Sequence, residues 1–594
     1  MNPSTQPNQP LKILAILLIA AGILLMLPGL APLSALHLLF DPLSADNRME
    51  ALDLPQVAIA RAGVAGIGFL LLLAGAVVLA QPARAAAAIQ WGRKHIRELG
   101  QDNRRLLADL VDALPKGWEI ALLGLVIAAG MFTRLALLPA PMQYDEAVTF
   151  NDFASRTLWA ALSDYSLPNN HVFHTLLVHI SYRLFGDAPW IVRLPAFLAG
   201  ILCIPAAYLL GKSHYNRTVG WLAAALAAWW PQMVFYSANA RGYSLLGFFS
   251  LLIFTLAGIA LKRRSPAAWA WIALLSAFGL FTVPVMAYSI GVLYTWLLFS
   301  LLVKEPLPAY KPGRFFAWMV TSGAAALGLA GIFYLPVLFA SGPDALLGNK
   351  FVQSFTWPEF VDRLPFFLND IWMRFTQAMP LAAILLIGLG LVLSLALHRQ
   401  ITRHKIPVLA SALVFFAVAM PLQRPEMLSK LFFFSLPLLA VWAAAGWVAV
   451  VQRFFKQNLE SPLLAVLTLI VAAACVVQAQ PNLPYLTDGA TGAHEQIAVW
   501  LKGRMQPEDV ALVDFPLDAQ VLYYARRAGL SLDAFREVEE REYHRAFVLV
   551  NPYEDQSLES VAAHHPLSRP LDLSTAHEEI EINNTHIYSV DPVR

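Results

Sequence analysis

Asp145 and Glu146, adjacent in the stretch PMQYDEAVTF, are the residues of this chain best suited to chemistry. A carboxylate is ionised near neutral pH, so Asp145 can take the proton of an attacking hydroxyl placed within hydrogen-bond reach. Cations are needed beside it. Arg241 in YSANARGY and Arg424 in QRPEMLSK carry forked donors that match phosphate oxygens, and Lys430 adds a point charge. A base and phosphate-binding cations together are what moves a sugar from a phosphate leaving group to a hydroxyl. The same two acids also suit a helix start, where an acidic first turn meets the positive end of the helix dipole. The two roles are compatible.

The elements that position these residues are membrane spans. Of 594 residues, 58% are hydrophobic and only 14% charged, and apolar runs near the length of a span recur, which describes a polytopic α-helical membrane protein. A net charge of +2 gives no sign of nucleic-acid binding. The two cysteines, Cys203 and Cys475, sit in apolar runs and suggest neither a disulfide framework nor a thiolate metal site. The first run, 11 to 33, lacks a basic leader and reads as a retained span.

Lys and Arg mark the cytoplasmic loops. Arg84, Arg93, Lys94, Arg97, Arg104, Arg105 and Lys116 put the segment between the second and third runs inside, so the run at 120 to 138 delivers Asp145 and Glu146 to the outer face. Parity leaves no crossing for residues 172 to 185. As a helix that segment reaches only about 21 Å against a core of about 30 Å. Phe173, Leu176, Leu177, Ile180 and Leu184 fall on one face of it and His171, His174, His179 and Arg183 elsewhere, so it reads as an interfacial helix. The count comes to about thirteen spans, including 218 to 236, 380 to 397 and 461 to 479, with the N-terminus inside and the C-terminus outside.

The unusual polar residues collect on the outer side: Asp145, Glu146, Asn169, Asn170, His171, Arg193, Arg241, the long 341 to 379 loop, Arg424, Glu426 and Lys430. Ionisable groups at span ends are costly unless they face water or a polar cavity, so the cluster suggests a site, against the plainer reading of interfacial snorkelling. Three histidines invite a metal reading, but no carboxylate-histidine motif accompanies them. Neither a phosphate-cradling GxxxxGK[ST] nor a GxGxxG occurs. No metal site or cofactor is assigned, and a divalent cation at the acid pair stays open. Beyond 481 the apolar runs stop. VALVDF, RAFVLVN and THIYSV read as strands and PLDAQVLYYARRAG as a helix, giving a small α/β domain on the outer face. Three parts follow: a two-span extension with a basic cytoplasmic segment (1–118), a membrane module (119–480) and an extracytoplasmic domain (481–594).

The stretches YDEAVTF, LPNNHVFHTLLVHISYRLFGDAPWIVRLPAFLAG and FYSANARGYSLLGFFSLL, in this order, resemble the family 39 glycosyltransferases. These are the dolichyl-phosphate-mannose protein mannosyltransferase-like group with a C-type fold, similar in architecture to the lipid A aminoarabinose transferases. The resemblance covers about 119 to 450. It implies a polyprenyl-phosphate-linked sugar donor, transfer at the outer face of a bacterial plasma membrane and inversion at the anomeric carbon, with a glycan, lipid or protein acceptor. By it, Asp145 is the catalytic base and Glu146 helps to hold the acceptor or a cation. Arg193 and Arg241 contact the lipid phosphate or brace the outer loop, and the 424 to 430 stretch is similar to the family's basic segment. Asn170, His171 and Tyr243 fall to acceptor binding or loop positioning. His171 opens what is His-Pro-Pro in the family and His-Val-Phe here. Two rival readings are a lipid-linked sugar flippase, which would bury charges at mid-depth in several spans, and a non-catalytic anchor for a partner-docking outer domain.

Overall fold

The computed structural model describes residues 9–32, 54–305, 311–348, 353–402, 404–454, 492–536, 538–539 and 541–593. Among the described residues seven helices are long and apolar enough to cross a membrane: Gln9–Leu30, Arg61–Ala80, Trp118–Leu135, Pro189–His214, Tyr243–Lys262, Pro312–Phe333 and Ser435–Arg453. The helices Pro266–Thr282, Met286–Leu302 and Val408–Gln423 are apolar but shorter, reaching about 24–26 Å at 1.5 Å per residue. The run expected as one span at 218 to 236 is two helices, Arg217–Trp229 and Pro231–Ser237, because Pro231 has no amide hydrogen with which to continue the ladder. The span expected at 461 to 479 lies outside the described residues.

Burial separates a centre from a rim. In the most apolar stretch of Tyr243–Lys262 83% of the residues are buried, and in those of Pro189–His214 and Ser435–Arg453 67%, against 11% in each of Gln9–Leu30 and Arg61–Ala80. At one central crossing, between Leu381–Ala396 and Ser435–Phe454, a Cβ on Gly446 would lie 1.9 Å from the carbonyl oxygen of Gly390, so only glycine lets these backbones approach.

Two segments beside the Asp145 end of the spans set the shape of the site. Val172–Phe185 is a helix, as expected, with Ile180, Leu184 and Phe185 exposed and His174 and His179 turned into the protein. The apolar stripe is therefore divided: Phe173 and Leu177 pack on the core, and only its C-terminal part, Ile180 and Leu184, faces outward, which suits a helix whose end meets a membrane surface. The expected 341 to 379 loop is largely the helix Trp357–Thr376, bent by 111° from Leu381–Ala396. Thr356 starts it, with its amide and hydroxyl both donating to Glu359 at 3.0 and 2.7 Å. Phe360, Leu364, Phe367, Ile371 and Phe375 form its inward face.

The C-terminal residues build a four-stranded sheet from β1 (Asp509–Val513), β2 (Arg545–Val550), β3 (His577–Ile582) and β4 (Thr585–Val590), in the order β1-β2-β4-β3. β1 and β2 are parallel, and β4 is antiparallel to both neighbours. The expected helix is Asp518–Ala528. β3 was missed because HEEIEI is too polar to read as a strand; it is a sheet edge, held by a two-residue turn at Asn583 and Asn584 with φ of 53° and 66°.

Candidate active site

Tyr144–Val148 is a short helix continued by a π-helical turn, Thr149–Ala154, and it turns the two acids in different directions. Glu146 is fully buried. It accepts from Arg193 Nε at 2.8 Å and Nη2 at 2.6 Å, from Ala240 N at 2.6 Å and from Gln143 N at 2.9 Å. The remaining Arg193 donors meet the carbonyls of Leu137, Leu138, Ala140 and Pro141 at 2.6–3.3 Å. All five guanidinium hydrogens are thus used within the protein. Of the two roles the resemblance gave Arg193, geometry fits the brace and leaves no donor for a phosphate. Glu146 is likewise sealed off from an acceptor or a cation.

Asp145 faces the other way, into a cavity of about 590 Å³. Lys430 Nζ donates to its Oδ2 at 2.8 Å, and Asn169 and Thr149 donate to its backbone carbonyl. Burial pushes the carboxyl's pKa up, but the charges of Arg241 and Lys430 with the Lys430 hydrogen bond outweigh it and hold the group below the usual 3.8. Asp145 is therefore ionised across the neutral range.

Arg241 is buried against the same carboxylate's backbone. Its Nη1 donates to Thr149 Oγ1 at 2.8 Å and Asn169 O at 2.7 Å, and Nη2 lies 3.1 Å from His171 Nε2. The Nδ1 of His171 accepts from Gly242 N at 2.9 Å. Burial, then Arg241, holds His171 well below its ordinary 6.5, and a neutral ring accepts at only one nitrogen. The Arg241 contact is the weaker of the two, and Arg241 Nε is buried without a partner among the described residues. Unlike Arg193, this guanidinium has donors to spare. Gly242 is what admits His171 so closely, since a Cβ there would lie 2.4 Å from Thr282 Cγ2 and 3.2 Å from His171 Nδ1.

The other expected residues divide. Tyr243 lines the cavity and meets His171 edge-on at 5.0 Å between centroids. Asn170 is buried and donates to the carbonyls of Asp164 and Ala161, so it holds the loop and does not reach the cavity. Arg424 lies outside it too: its Nε donates to Phe355 O at 2.7 Å and its guanidinium rests over Trp357, tying the start of Trp357–Thr376 to the end of Val408–Gln423. That correction follows from Arg424's backbone, whose left-handed φ of 46° turns the chain away at the helix end. His174 has both ring nitrogens buried and without a partner among the described residues, with its pKa pushed down to about 3 by burial and Arg241, while His179 donates to Ala154 O. Among the described residues no group of three His, Cys, Asp or Glu is placed to hold a metal ion.

Sequence reasoning missed most of the lining, finding only Asp145, Arg241, Tyr243 and Lys430. Asp370 and Arg374 come from Trp357–Thr376, and Asp370 accepts from Ser429 N at 3.1 Å, which fixes the turn carrying Lys430. The opposite wall belongs to the C-terminal domain: His494, Gln520, Asn551, Glu554 and Asn583. That domain is fastened to the loop beneath the site. Met142 N donates to Tyr524 Oη at 3.1 Å, Asn151 Nδ2 to Ala519 O at 2.8 Å, and Arg536 pairs with Asp152 at 2.6 Å. Met142, Ala147 and Phe150 share one apolar core with Tyr523, Tyr524 and Ile497.

Residues 171–325 match the family described as dolichyl-phosphate-mannose-protein mannosyltransferase. The fold is similar to that of ArnT from Cupriavidus metallidurans. Its apo structure aligns over 80% of this chain and 98% of its own with a TM-score of 0.53 and 11% identity, and the structure bound to undecaprenyl phosphate aligns over the same shares with 0.53 and 12%. No curated protein matches the chain by sequence. Taken with the apolar helices and the C-terminal sheet domain, these likenesses show that the chain has the polytopic helical C-type glycosyltransferase fold, with residues 171–325 similar to the mannosyltransferase family.

Proposed function

We propose that this protein transfers a sugar from a polyprenyl-phosphate donor to a hydroxyl of an acceptor at the outer face of a bacterial plasma membrane, with Asp145 as the base. The observation that carries this reading is the carboxylate of Asp145, ionised and reachable in a cavity that also presents Lys430 and Arg241. That one structural relative is known bound to undecaprenyl phosphate supports the donor class. Asp145 takes the proton as the acceptor oxygen bonds to the anomeric carbon, and the sugar–phosphate bond breaks on the opposite face, inverting that centre. The electron pair leaves with the phosphate oxygen. Lys430 and the positive charge of Arg241, both in the cavity lining, stabilise that charge. As they turn to the phosphate they lose hold of Asp145, whose basicity rises when it is needed.

On this reading Glu146 and Arg193 build the floor, His171 and Tyr243 aim Arg241, and the C-terminal wall receives the acceptor. The N-terminus lies in the cytoplasm and the domain at 492–593 outside. Asp145→Asn tests the assignment: transfer from a polyprenyl-phosphate sugar to total membrane acceptors should fall by about 10²–10⁴-fold with donor binding kept. A folded Asn variant of full activity would remove Asp145 from the mechanism.

A further inference from the structure

The helix Pro82–Ala113 takes no part in the site and lies on the other side of the spans. Three anchors fix it there. Its start follows the span Arg61–Ala80 after one residue, Gln81, and its end is separated from the span Trp118–Leu135 only by residues 114–117. Between them, Asp102 accepts from Arg263 Nη1 at 2.6 Å, Ser265 Oγ at 2.7 Å and Ala267 N at 2.9 Å, which form the link from Tyr243–Lys262 to Pro266–Thr282. Arg263 Nε also donates to Asp109 at 3.0 Å. Each anchor is a span end on the side opposite Asp145, since Trp118–Leu135 and Tyr243–Lys262 both run from that side to the site. A rod of 32 residues, about 48 Å long, tied at both ends and near its middle to one membrane face, runs along that face.

Its sides are unlike. Leu106 is buried and Leu110 packs on the core of the module. At 100° per residue, Ile96, Leu107 and Val111 occupy an adjoining arc of about 60°, and they are 72%, 50% and 63% exposed. Arg93, Arg104 and Arg97 come next around the helix, then Lys94 and Arg105. All five are exposed and make no ion pair or hydrogen bond among the described residues. The nearby acids are committed, Asp102 and Asp109 to Arg263 and Asp112 to Lys116, which leaves Glu98 alone against the five.

We infer that Pro82–Ala113 lies in the headgroup layer of the same membrane and binds anionic phospholipid there, its apolar arc in the acyl boundary and its basic arc on the phosphates. An exposed apolar stripe beside a basic one, level with the span ends, is the pattern of a surface-bound helix. The five free cations supply the attraction to negative headgroups. A soluble acidic partner would satisfy the charges but leave Ile96, Leu107 and Val111 at the membrane edge unexplained.

The test uses the whole chain in phosphatidylglycerol vesicles, with Cys203 and Cys475 replaced by alanine and nitroxide labels at Ile96→Cys or Gln101→Cys. The Ile96 label should collide with oxygen and be shielded from a water-soluble nickel chelate, and the Gln101 label should show the reverse. Independently, phosphatidylglycerol co-purifying with the protein should fall by at least about twofold when Arg93, Lys94, Arg97, Arg104 and Arg105 all become Gln, and be retained when the arginines become Lys. An Ile96 label as open to nickel as Gln101, or unchanged lipid in the five-Gln variant, overturns the inference. Neither measurement depends on glycosyl transfer.

Discussion

Arg193→Ala should cost stability before it costs donor affinity. The side chain makes two hydrogen bonds to the fully buried Glu146 and four to the carbonyls of Leu137, Leu138, Ala140 and Pro141, where the span Trp118–Leu135 hands over to the loop that carries Asp145. Without it Glu146 keeps only the amides of Gln143 and Ala240. Removing one member of a buried ion pair costs about 3–5 kcal/mol, a shift of about 10²–10⁴-fold in the equilibrium that holds the loop in place. The assay is thermal inactivation of the detergent-purified enzyme, with the donor KM measured well below the transition. The midpoint should drop sharply and the KM of surviving enzyme stay near wild type. Arg193→Met with Glu146→Gln removes both charges and should restore much of the loss. An Arg193→Ala protein with an unchanged midpoint and a raised donor KM would refute the reasoning, for it would put the guanidinium on the phosphate.

Lys430→Met removes a charge that holds Asp145 down, so the Asp145 pKa rises and the acid limb of kcat/KM moves to higher pH; donor KM should also rise about tenfold or more, and an unmoved limb would deny the contact. Gly242→Ala drives a methyl into Thr282 Cγ2 and His171 and should destabilise by about 1–3 kcal/mol, with Thr282→Ser, which lacks that carbon, recovering part of it in a thermal-shift measurement. Tyr524→Phe leaves the buried Met142 amide unpaired at a cost of about 1–3 kcal/mol and should make the outer domain easier to cleave by added protease.

The sequence made the acids, Arg241 and Lys430 legible because each is a charge at a span end, where a charge needs a reason. It separated Arg241 from Arg193 poorly. Both sit in similar apolar surroundings along the chain, and only their partners tell a saturated guanidinium from one with donors left. Arg424 is near Lys430 in sequence, yet its own left-handed backbone at the end of Val408–Gln423 sends it to Phe355. Trp357–Thr376 could have been found: Thr356 and Glu359 are three apart, and apolar residues recur at 360, 364, 367, 371 and 375. The wall contributed by Gln520, Asn551 and Asn583 had no local signal, because polar residues in turns and helix starts look the same whether they face solvent or another domain.

The order in which the cavity's parts occur along the chain has a consequence for biosynthesis. By the time the ribosome has delivered Ser435–Phe454, the nascent chain holds Asp145, Arg241 and Lys430, but the residues from His494 onward that close the opposite side do not yet exist. Met142, Ala147 and Phe150 also wait for the tyrosines that cover them. A partly synthesised or truncated chain is then an open trough with sticky apolar residues beside its acid, and competence arrives with a late docking event outside the bilayer. Quality control of this protein can be read at that step, from whether Tyr523 and Tyr524 have found their place.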